Sequence, residues 1–84
     1  MAADKPTVTV TFNGLDKGIP YEPHAAVQAL LDHAKEAFGV QSNHLLSLFT
    51  EGGVELQDAI SAQDAGIQPG QLLVLRQSTV KGGK

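Results

Sequence analysis

The chain has 84 residues, no cysteine, and six Lys plus Arg against nine Asp plus Glu, for a net charge of −3. A chain this short makes one small domain that buries only about 60–65% of its unfolded surface, so a deep catalytic cleft is not expected. Without cysteine there is no disulfide, thiolate nucleophile or zinc–thiolate site, and a reducing cytoplasm is the expected compartment.

Residues 1–6 form a polar leader that ends in Pro6, without the apolar core of a signal peptide. In "TVTVTFNG", Val8, Val10 and Phe12 alternate with Thr7, Thr9 and Thr11, which predicts a half-buried strand. Asn13-Gly14 then predicts a tight hairpin turn, because both residues tolerate positive φ. The return strand, "KGIPYEP", contains Pro20, which cannot donate to a ladder, so it belongs at a sheet edge.

After Pro23 comes "HAAVQALLDHAKEAFG". Val27, Leu31, Ala34 and Phe38 form one helical stripe, widened by Leu30 and Ala37, and Gly39 is the expected stop. "HLLSLFT" reads as a third strand, "EGG" as a turn, "VEL" as a short fourth strand and "SAQDAGI" as one or two helical turns. The last strand, "QLLVLRQ", is nearly continuously apolar from Leu72 to Leu75, which suits a central position. Residues 78–84, "STVKGGK", lack an apolar period and read as a flexible tail. The expected organisation is thus a folded unit over 7–77 between a leader, 1–6, and a tail, 78–84. Its element order predicts an α+β domain with one helix packed on one face of a four- or five-stranded sheet.

Most other chemistry is weakly signalled. Lys5, Lys17, Lys35, Lys81, Lys84 and Arg76 are scattered, without the basic footprint of a nucleic-acid binder, and no apolar stretch approaches the ~20 residues of a membrane span. His24, His33 and His44 do not share a helical face, and neither a metal site nor any cofactor is expected. Ser42, Ser47 and Ser61 lack a nucleophile-elbow context, and Gly52-Gly53 sits in a hairpin turn rather than a phosphate loop. Asp58 and Asp64 are expected to cap the helical turn.

The element order, with "VTVTFNG", "LQDAISAQDAGIQPGQLLVLR" and the terminal "KGGK", resembles the ubiquitin-like β-grasp superfamily over about residues 7–83. The matching positions are Leu56, Asp58, Asp64, Ile67, Leu73, Leu75 and the pair Gly82-Gly83. Two features depart from ubiquitin: "QSTVK" separates Arg76 from the glycines, and Lys84 follows them. "VTVTFNG", "IQPG" and "KGG" are more similar to a bacterial ubiquitin-like family, whose genes often lie beside those for ubiquitin-activation-like, conjugation-like and JAB-type metalloprotease proteins.

The resemblance implies a mixed β-grasp sheet, a monomer and no enzymatic activity. It implies a protein modifier trimmed after Gly83, activated at that carboxylate and conjugated to targets, with Lys5, Lys17 and Lys35 as possible acceptors for chain formation. Glycine suits the role because an end without a Cβ can thread a narrow channel to the activating nucleotide. Two alternatives share the fold: a sulfur carrier with a C-terminal thiocarboxylate, and an unconjugated interaction domain. If Leu46, Leu48, Leu73 and Leu75 point inward, then Phe49, Leu72, Val74 and Arg76 share the opposite face. In the resembled fold these strands are neighbours, which implies an exposed protein-binding patch there.

Overall fold

In the computed structural model, which describes residues 6–40 and 45–78, the hairpin forms where alternation and turn chemistry place it. Strands β1 (Thr7–Phe12) and β2 (Leu15–Pro20) pair antiparallel, from Thr7 opposite Pro20 to Phe12 opposite Leu15. The two turn residues have φ of 53° at Asn13 and 82° at Gly14. Nothing lies within 4 Å of a Cβ built on Gly14, so Gly14→Ala meets no neighbour and strains only the backbone. The expected cost, read from chemical denaturation, is about 1–2 kcal/mol. An unchanged midpoint would mean that the turn is of another type in solution.

Helix α1 runs Val27–Phe38 and buries Val27, Leu30, Leu31 and Ala34. It begins later than the pattern from His24 suggests. Its first amides are satisfied from far along the chain: Val27 N–H donates to the Ile60 carbonyl at 2.8 Å and Gln28 N–H to that of Asp58 at 3.1 Å. These bonds close N-terminal donors that a side chain would otherwise cap, and Ala26 at the N-cap offers none. The helix stops at Gly39, φ 68°, with Gly39 N–H bonded to Glu36 O and Val40 N–H to Lys35 O. The Lys17 ammonium on β2 satisfies a further carbonyl, Ala37 O, at 3.0 Å, and lies 5.5 Å from the Phe38 ring centroid.

Strands β3 (Leu46–Thr50) and β4 (Leu72–Gln77) complete a four-stranded sheet in the order β2-β1-β4-β3. The β1–β4 pair is parallel and the others are antiparallel, so the sheet is mixed. β4, the most continuously apolar strand, lies between β1 and β3, with Pro20 on the edge strand β2. "VEL" contributes one isolated bridge, Glu55 to Phe49, beside β3 rather than a full strand. In the stretch 61–66, the Ser61 hydroxyl accepts the Asp64 N–H at 3.0 Å, so Ser61 caps this turn and Asp64 supplies the capped amide.

One core lies between helix and sheet. Val8, Val10, Leu46, Leu48, Leu73 and Leu75 meet Val27, Leu30, Leu31 and Ala34, and the 56–67 stretch adds Leu56, Ala62 and Ile67. The Pro6 carbonyl accepts Tyr21 N–H at 2.9 Å, and Ser78 is buried and hydrogen-bonded. Both residues are therefore tied to the sheet by hydrogen bonds. Among the described residues, no helix is long and apolar enough to cross a membrane.

Candidate protein-interaction surface

The sheet face away from the helix follows from strand register. Thr9 lies opposite Leu72 and Thr11 opposite Val74, while Phe49 pairs with Val74 and Ser47 with Arg76. Directly opposed residues share a face. Phe49, Leu72, Val74 and Arg76 therefore occupy one side of the sheet, while Leu46, Leu48, Leu73 and Leu75 occupy the core side.

Sharing a face does not make all four accessible. Leu72 and Val74 are half-buried and Arg76 is exposed, but Phe49 is only 3% exposed. The expectation of an exposed Phe49 is therefore corrected, although its face is the expected one. Val74 flanks the ring on β4, Glu55 flanks it on the other side of β3, and the Arg76 guanidinium carbon sits 4.9 Å from the ring centroid. A guanidinium above an aromatic face gains from the ring quadrupole and excludes water from it. Thr9 and Thr11, both half-buried, extend the face toward β2.

At the β3 end of this face, Glu55 gathers two hydroxyls. Its Oε2 accepts from Ser47 Oγ at 2.8 Å and from Ser78 Oγ at 2.5 Å. Ser47 is fully buried, so its hydroxyl needs this partner. The sequence reading assigned Glu55 no role. The available signal was Ser47, a small polar residue inside an apolar strand, which demands an acceptor nearby.

Gly82 and Gly83, with Lys84, lie outside the described residues, as do Lys5, Ser42 and His44. His24 and His33 are exposed, and the described residues contain no cluster of three or more His, Cys, Asp or Glu able to hold a metal ion. Lys17 is engaged at the helix end, and Lys35 is half-buried on α1.

No protein-family model matches the chain. No curated protein matches it in sequence. Solved structures match it in shape. A protein designed on the basis of ubiquitin superposes with a TM-score of 0.76 at 21% identity, covering 94% of this chain and 95% of the designed one. The ubiquitin-like domain of an Arabidopsis thaliana protein gives 0.75 at 21% identity, covering 99% and 87% respectively. ATBAG1, solved in complex with HSP70, gives 0.74 at 15% identity, covering 89% of this chain and 41% of the other. The chain has the ubiquitin-like β-grasp fold.

Proposed function

We propose that this chain is a ubiquitin-like protein modifier of the bacterial type and not an enzyme. It is trimmed after Gly83, activated at the new carboxylate and joined to lysines of target proteins. The observation that supports it is the ubiquitin-like fold with β4 as a central strand, together with a sequence in which a Gly-Gly pair follows β4 at residues 82 and 83. Leu72, Val74 and Arg76 then offer a recognition face for partners, with Phe49 as its floor. The partners are an activating-like enzyme that adenylates the end, a conjugating-like enzyme, and a JAB-type metalloprotease that removes Lys84. The cytoplasm, where such enzymes work, is the proposed compartment.

A second reading is an unconjugated interaction domain. The half-buried Leu72 and Val74 beside the exposed Arg76 favour it, because an apolar strip rimmed by a cation suits protein recognition. The same fold occurs in ATBAG1, solved in complex with HSP70.

One measurement separates the readings. Trypsin cuts after lysine, and Lys81 immediately precedes Gly82. A conjugate digested with trypsin therefore leaves Gly82-Gly83 on the target lysine, which mass spectrometry of source-cell protein detects. The modifier reading expects that remnant. A thiocarboxylate at Gly83 would mark a sulfur carrier instead. Chains ending only at Lys84, with no remnant, would leave the interaction domain.

A further inference from the structure

We infer that Glu55 is a latch that fixes where the C-terminal tail leaves the sheet. Three chain segments meet at one carboxylate oxygen: the Glu55 stretch, β3 through Ser47, and the residue after β4 through Ser78. The Ser78 amide is held separately, donating to the Leu45 carbonyl at 2.9 Å, which extends the β3–β4 pairing one step past Gln77 opposite Leu46. Glu55 is itself fixed: it bridges to Phe49, and the next amide, Leu56 N–H, donates to Leu48 O at 2.8 Å. A carboxylate anchored in this way holds a hydroxyl donor more strongly than a neutral acceptor does.

The consequence is a defined reach. From Ser78 to Gly83 are five residues, or at most about 17 Å of extended chain. Without the latch, Ser78 and then Gln77 can peel from β3, each adding about 3.5 Å. Glu55 is thus a positioning residue. It fixes the point of the sheet from which the glycine end is presented, a purpose that rests on the modifier reading, whereas the latch itself does not.

Hydrogen exchange on the full chain tests it, with trypsin cleavage after Arg76 as a second readout. Ser78→Ala and Glu55→Ala should each speed exchange of the Ser78 amide by about tenfold, and speed that cleavage, while the amides of Val10 and Leu73 keep their protection. Glu55→Gln retains an acceptor oxygen and should recover part of the protection. Ser47→Ala leaves the Ser78–Glu55 bond in place and should leave the Ser78 amide protected. The latch is overturned if Ser78 exchanges freely in the natural chain, if Ser78→Ala changes nothing, or if all amides accelerate together. A protected Ser78 amide without any Gly-Gly remnant on targets would sink the modifier reading and keep the latch. A remnant with a freely exchanging Ser78 amide would do the reverse.

Discussion

Phe49→Ala is expected to lower the unfolding free energy by about 3 kcal/mol or more, the range of buried aromatic truncations. A small domain has a total stability of only about 5–15 kcal/mol, so the loss should be plain in a urea melt. The ring is 3% exposed, lies between Val74 and Glu55 across the strands, and carries the Arg76 guanidinium at 4.9 Å. Alanine would leave that guanidinium above a void and open the outer side of β3 to water. Phe49→Leu keeps most of the volume and should cost less than about 1.5 kcal/mol. A loss below about 1 kcal/mol for Phe49→Ala would show that water reaches the ring, and would restore Phe49 as an accessible binding residue. Binding defects of Phe49 variants therefore need a stability control before they are assigned to an interface.

Phe49 also shows what a sequence can and cannot disclose here. Alternation in "LSLFT" settles which side of the sheet each residue takes, because the strand period is two. It does not settle what covers that side. Coverage came from Arg76 on β4 and from Glu55, which pairs back onto β3. The hairpin was legible because Asn13-Gly14 is a local signal with a local cause, visible as positive φ at both positions. The body of the helix was legible because Val27, Leu31 and Ala34 keep a helical period and are all buried. Its start was not, since Val27 and Gln28 find their acceptors at Ile60 and Asp58, 33 and 30 residues on. The latch is of the same kind: Ser78 and Glu55 are 23 residues apart, and no local pattern joins them. The glycine pair is the opposite case, plain in the sequence and beyond the described residues.

Gly83→Val is expected to abolish conjugation while leaving the fold untouched. Under the proposed function the reacting atom is the carboxylate carbon of Gly83. In the chain ending at Lys84 that carbon is tied into an amide, and a lysine side chain stands at the end, so an adenylating partner should not act on it. Cut to Gly83, the carboxylate attacks the α-phosphorus of ATP, pyrophosphate leaves, and an acyl-adenylate forms. A cysteine thiolate of the partner then displaces AMP to give a thioester. Both steps need the carbonyl to be approached inside a channel built around an end without side chains. Valine branches at Cβ, is stiff at χ1 and cannot narrow itself to pass. The modifier reading also expects stability to be unchanged, because it gives Gly83 a chemical role and no part in the core. Three purified chains decide the matter when incubated with ATP and an extract of the source cell: the full chain, the chain ending at Gly83, and its Gly83→Val form. The expected result is target adducts from the second chain, and from the first only as fast as Lys84 is trimmed. The third should give none, with an unchanged denaturation curve. Adducts from the valine form at the normal rate would show that Gly83 does not enter a constricted site, and the modifier reading would lose its chemical basis.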